Sequence, residues 1–222
     1  MSDKFNNAIV EYESGKTTVK LSPGIIRNYL VSGNGKVSDQ EIVMFLNLCK
    51  AQRLNPFLRE AYLIKYGSAP ATMIVGKDVH VKRAARNPKF AGYDAGIIVE
   101  DMKGDMIYRN GSLALAHDAI VGGWCKVHIK DYDTTIDSEV SFSEYCLMKD
   151  GKPASNWAKM PGTMIRKVAV SQALREAFPE DLQGLYDSSE MSVNDIPLDE
   201  KPVVIDNEVS QREMTAEDEQ PS

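Results

Sequence analysis

Residues 92–143, GYDAGIIVEDMKGDMIYRNGSLALAHDAIVGGWCKVHIKDYDTTIDSEVSFS, decide the fold. Gly92–Glu100, Met106–Tyr108, Gly123–Lys130 and Thr135–Ser143 are rich in β-branched and aromatic residues. Gly104-Asp105, Gly111 and Asp131–Asp133 punctuate them as turn formers do. Working outward, Ala61–Lys65 and Ala71–Val75 flank the turn residues Gly67, Ser68 and Pro70, which predicts a hairpin. Farther upstream, Ser22 before Pro23 caps a short helix running to about Leu30. Ser38 and Glu41 have capping-box spacing, and Ile42, Phe45, Leu46 and Cys49 recur at helical intervals up to about Gln52. Lys77–Asn87 reads as a helix stopped by Pro88, and a long helix spans about Thr163–Phe178. The expected fold is α+β: a curved antiparallel sheet, built from the hairpin plus a three-stranded meander, packed on helices.

The 222 residues suit one domain with an appended segment. The net charge of −6 is unevenly distributed. After Tyr186 the chain holds 11 acidic residues against only Lys201 and Arg212, a net of −9. Residues 1–186 carry 24 basic and 21 acidic side chains, so the body is +3. Self-repelling charge and few large apolar groups predict a disordered acidic tail over 194–222. Residues 1–21 read as an N-terminal arm whose first 18 or so positions, polar and aperiodic, fray or order on a neighbour. No run approaches the roughly 18 to 20 apolar residues of a membrane span, and the N-terminus lacks a basic region followed by an apolar core, which predicts a cytoplasmic protein. Cys49, Cys125 and Cys146 are too few for a disulfide framework and read as buried thiols.

Several chemistries are disfavoured. Gly15-Lys16-Thr17 resembles the end of a phosphate-binding loop, but Val10 stands where that loop needs glycine, and Glu11 and Glu13 would face the anion. Strand alternation sends Cys125 and His128 to opposite faces, which argues against a zinc site with Cys146. Three histidines and no nucleophile motif give a hydrolytic triad little support. Asp131 and Asp133 fall in a turn. The expectation is a protein without catalytic residues, metal or cofactor.

The basic residues do have a pattern. Lys77, Lys82, Arg83, Arg86 and Lys89 accompany one acid, Asp78, and Lys82 and Arg86 share a helix face. Lys126 and Lys130 alternate onto the same side of their strand as Trp124 and His128. Lys159, Arg166, Lys167 and Arg175 form a third group, in or near a long helix that is apolar nearly all round and so must be covered on most sides. Three clusters in one body suggest a groove for a phosphate backbone.

Three segments carry a resemblance: Gln52–Phe57 (QRLNPF) leading into Glu60–Tyr62, Val75–Asp78 (VGKD), and Trp157–Met191 (WAKMPGTMIRKVAVSQALREAFPEDLQGLYDSSEM). Over about residues 22–191 the chain resembles the phage RecT/Bet (Redβ-like) single-strand annealing recombinases. The resemblance implies an ATP-independent protein that coats single-stranded DNA, pairs it with its complement through an annealed duplex intermediate, and forms homo-oligomeric rings or helical filaments. It implies a core like that of other annealing proteins, and makes residues 22–193 the DNA-binding, annealing and oligomerisation domain. By it, Lys77, Lys82, Arg83, Arg86, Lys126, Lys130, Lys159, Arg166, Lys167 and Arg175 become phosphate contacts, led by Arg166 and Lys167. A companion 5′–3′ exonuclease and a host single-strand binding protein are implied partners, although only the acidic tail stands where family members often carry a larger partner-binding region. The tail's charge suggests competition with DNA for the basic groove. A passive coat that binds DNA without pairing it is the alternative.

Overall fold

The computed structural model describes residues 3–76, 78–182, 184–186 and 189–190; Lys77 and the expected tail at 194–222 lie outside the described residues. The N-terminal stretch corrects the expectation of fraying. Strands β1 (Val10–Ser14) and β2 (Thr17–Leu21) pair antiparallel, with Val10 opposite Leu21 and Ser14 opposite Thr17. Gly15, the first residue of the two-residue turn, has a φ of 63°, which glycine adopts without steric cost. Tyr12, Val19 and Leu21 point into the core. The Tyr12 hydroxyl donates to the Leu54 carbonyl at 2.7 Å, and the Ser14 hydroxyl to that of Arg53 at 2.8 Å. The Gly15-Lys16-Thr17 match is thus a hairpin turn leading into a strand, whereas a phosphate-binding loop leads into a helix.

Ser22 caps the next turn, its hydroxyl accepting from the Ile25 amide at 3.2 Å, and helical structure continues through Leu30 with Ile26–Leu30 widened to π geometry. After β3 (Val31–Ser32) comes α1 (Asp39–Ala51), which begins at the expected capping box. One Glu41 carboxylate oxygen accepts from the Ser38 amide and hydroxyl at 2.7 and 2.9 Å. The other accepts from Lys65 Nζ at 2.6 Å and the Ala71 amide at 2.8 Å. Glu41 therefore closes a helix and also fastens the hairpin formed by β4 (Ala61–Ile64) and β5 (Thr72–Val75). That hairpin is where it was expected, but β3 joins it in parallel to make a separate three-stranded sheet.

Beyond α2 (Asp78–Ala84) lies the larger sheet: β6 (Phe90–Glu100), β7 (Met106–Asn110), β8 (Ala119–Ile129) and β9 (Ile136–Ser141). Its order, β7-β6-β8-β9, corrects the three-stranded meander. The two eleven-residue strands β6 and β8 pair along their length, and the short β7 is left at the edge. Ala95, Ile97 and Val99 of β6 and Cys125, Val127 and Ile129 of β8 form one buried face. The expected strand to Ser143 ends at Ser141, and Phe142–Tyr145 turn helical, with the Phe142 ring edge-on to Trp157 at 5.6 Å.

Helix α3 (Pro161–Ala177) lies on that buried face. Met164, Ile165, Val168, Ala169, Val170, Ala173 and Leu174 are all buried, as the all-round apolar pattern requires. Contact is close at Gly123, where a Cβ would stand 2.7 Å from the Ile165 carbonyl oxygen. After the helical turn Pro179–Leu182, the chain crosses β5 and α2: the Val75 amide donates to the Tyr186 carbonyl at 3.0 Å, and His80 Nε2 lies 3.1 Å from the Leu185 carbonyl. Among the described residues no helix is long and apolar enough to cross a membrane.

Candidate nucleic-acid interface

Helix α2 and the turns around it gather positive charge from distant parts of the chain. Arg83 and Arg86 line a pocket of about 280 Å³ together with Arg53, Gln52, Asn87 and Asp181. Arg83 is half-buried; it donates to Gln52 Oε1 at 2.7 Å and to the Asp181 carbonyl at 3.0 Å. Burial, and then the like charge of Arg86, hold its guanidinium pKa below the usual value, against the pull of Glu60 and Asp181. Arg83 thereby forms a fixed floor. Arg53 and Arg86 are exposed. The β1–β2 turn approaches from the other side, with a Cβ on Gly15 falling 3.4 Å from an Arg86 nitrogen, and Lys16 follows in that turn. At the sheet end of the same region the Lys130 amide donates to the Lys89 carbonyl at 2.8 Å, and both lysine side chains are exposed. Lys16, Arg53, Arg86, Lys89 and Lys130, linked through these contacts, are the candidate basic strip of this region.

Lys126 lies elsewhere in charge terms. It sits on the outer face of the large sheet with Asp94 opposite on β6 and Asp137 opposite on β9, and its ammonium is 3.0 Å from the Asp137 carboxylate. The hydrogen bond to Asp137 raises the lysine pKa. Beside it His128 Nε2 is 2.8 Å from Asp94, and Glu139 accepts from the Tyr108 hydroxyl at 3.1 Å. Trp124 is buried on this face, with its indole N–H donating to the Arg109 carbonyl at 3.2 Å. Cys125 faces the core, on the opposite side from His128, and burial pushes its thiol up to about 12.

The remaining candidates are dispersed. The Lys82 ammonium pairs with the buried carboxylate of Glu60. Lys159 is exposed at the end of the helical turn Asn156–Lys159. Arg166 and Lys167 are half-buried on α3, and Arg166 Nε donates to the Ala95 carbonyl at 3.3 Å. Arg175 is committed to Glu190, Leu185 and Tyr186, with its guanidinium 4.8 Å from the Tyr186 ring centroid. Of the ten sequence candidates, the structure brings Arg83 and Arg86 into one pocket and ties the Lys130 backbone to Lys89, next to Pro88 of that pocket.

Two strip residues escaped the sequence reading. Lys16 reads in sequence only as part of the Gly15-Lys16-Thr17 match. Arg53 occupies the left-handed position after α1: its amide bonds to the Lys50 carbonyl at 3.2 Å and that of Leu54 to the Cys49 carbonyl at 2.8 Å, a Schellman ending normally completed by glycine. The available signal was an arginine where a glycine belongs.

Residues 17–206 match the model described as the RecT family. An uncharacterised protein of Ureaplasma parvum serovar 3 is 28% identical over 151 residues, which take in 66% of this chain and 60% of that protein. The chain thus spans less than two thirds of the length of the curated relative it matches.

Proposed function

The chain belongs to the RecT family, and from that premise we propose that it is a single-stranded DNA annealing protein of phage-type recombination, acting without ATP in the bacterial cytoplasm. Annealing breaks no covalent bond, so the protein's task is physical. Two polyanions repel each other; arginine and lysine lower that repulsion and release condensed counterions. Contacts belong on phosphates so that base edges stay open for pairing.

The observation that carries this reading is the meeting of Arg53, Arg83 and Arg86 around one pocket, continued by Lys16, Lys89 and Lys130. Arg53, Arg86 and Lys130 are the leading phosphate contacts, with Lys159, Lys77, Arg166 and Lys167 completing the path on the larger assembly. Lys82, Lys126 and Arg175 already face carboxylates, so their contribution requires a phosphate to displace or share that partner. The sheet backed by α3 is the annealing core, and the working form is a ring or filament of copies, supplied with strands by a 5′–3′ exonuclease and handed off from host single-strand binding protein.

The test is annealing of two complementary oligonucleotides without nucleotide. The protein should speed pairing, and Arg86→Glu should weaken binding and lower the slope of log affinity against log salt by about 1. Slower pairing of coated strands would instead identify a passive coat.

A further inference from the structure

The segment Arg53–Glu60 is built more rigidly than a surface connection requires, and it displays two large apolar side chains. Arg53 and Arg59, with φ of 47° and 58°, both occupy the left-handed region that glycine would enter without strain. Between them Leu54, Asn55 and Pro56 are buried, whereas Phe57 and Leu58 are 44% and 65% exposed. Asn55 Oδ1 accepts from the Phe57 amide at 3.0 Å, and the Asn55 carbonyl accepts from the Leu58 and Glu60 amides at 3.1 and 3.2 Å. Glu60, buried beneath, accepts from the Asn55 amide at 2.8 Å and pairs with Lys82. The Gly76 amide, donating to the Glu60 carbonyl at 3.1 Å, ties the segment to the end of β5. Backbone strain held by this many bonds fixes the direction of Phe57 and Leu58, and the exposed Arg53 and Arg59 bracket the pair in sequence.

We propose that Phe57 and Leu58 are a base-contacting knob for single-stranded DNA, Phe57 stacking on the face of an unpaired nucleobase and Leu58 wedging beside it, with Arg53 and Arg59 on the flanking phosphates. The inference rests on the annealing reading and deepens it. An aromatic ring between two cations matches a ligand that alternates flat apolar bases with anions. Stacking uses the face of a base and leaves its pairing edge open to a second strand. Arg53 also lines the pocket with Arg83 and Arg86, so a strand on the basic strip runs past the knob.

The test compares a dT oligonucleotide with an abasic strand of equal length, using the full chain. Phe57→Ala should weaken dT binding about tenfold, within the range measured for losing one base–aromatic stack, and leave abasic binding unchanged. Phe57→Trp should restore dT affinity and add fluorescence that dT, but not the abasic strand, quenches. Equal losses on both strands, or no loss on either, would overturn the proposal while leaving annealing intact. A smaller DNA-free assembly for Phe57→Ala by light scattering would overturn it by assigning the knob to a second copy of the chain. Failure of the parent protein to bind either strand would remove the annealing reading itself.

Discussion

Arg175 holds Glu190 through both terminal nitrogens, at 2.8 and 2.5 Å, and the carboxylate is only 3% exposed. The same guanidinium reaches the Leu185 carbonyl and covers the Tyr186 ring. A bidentate pair of this kind fixes a segment in place, and removing one member leaves a buried charge without its partner. Glu190→Ala should therefore cost about 3 kcal/mol, lowering the thermal midpoint by roughly 10 °C for a chain of this size. A melting curve followed by circular dichroism checks it; an unchanged midpoint would mean that the pair does not hold the C-terminal segment.

Glu41 gives the protein an acid limit. Burial by itself would raise its pKa, but Lys65, the Ser38 and Ala71 amides and the Ser38 hydroxyl outweigh that and hold it at about 2. Unfolded, the group titrates near its ordinary value of about 4.3. Its stabilisation is complete above that pH and is lost as the pH falls toward 2. Glu41→Gln should lose about 2 kcal/mol near neutrality and show a flatter fall in stability between pH 4.5 and 2 than the parent. Urea titrations at several pH values measure both effects.

Gly123 is where α3 meets β8, with the Ile165 carbonyl oxygen 2.7 Å and the Arg166 amide nitrogen 3.3 Å from a would-be Cβ. Both obstacles are backbone, so neither can swing aside. Gly123→Ala should cost about 2–3 kcal/mol by forcing helix and sheet apart. Gly67→Ala, where a Cβ meets nothing within 4 Å, separates overpacking from the strain of a left-handed residue. A midpoint for Gly123→Ala equal to the parent's would show that the helix can shift without penalty.

The legible parts of this fold are those specified by neighbours in sequence. The Ser38–Glu41 capping box, the 61–75 hairpin and the burial of α3 follow from spacing and periodicity over a few residues. The second role of Glu41 was hidden because its partners, Lys65 and Ala71, lie 24 and 30 positions away. The β1–β2 hairpin was missed because alternation over two five-residue strands is a short signal, and its apolar members are spread among glutamates, lysine and threonines. The sheet order depends on which long strands find each other after a loop, which local pattern does not encode.

The site was legible in charge but not in pairing. Counting lysines and arginines marks residues 77–89 as basic, yet whether each cation is satisfied within the fold depends on groups brought from far off. Glu60 reaches Lys82 across 22 positions, and the backbone carbonyl that accepts from Arg83 belongs to Asp181, 98 positions away. Arg53 joined the strip because of a backbone angle.

The bond from the Val75 amide to the Tyr186 carbonyl has a further effect. Strand β5 has β4 on one side, and its other side would present an unsatisfied amide to any passing extended chain. By laying its own later segment there, the protein blunts that edge as a template for sticky strand addition between molecules. Closing that edge removes one route of uncontrolled strand-by-strand polymerisation.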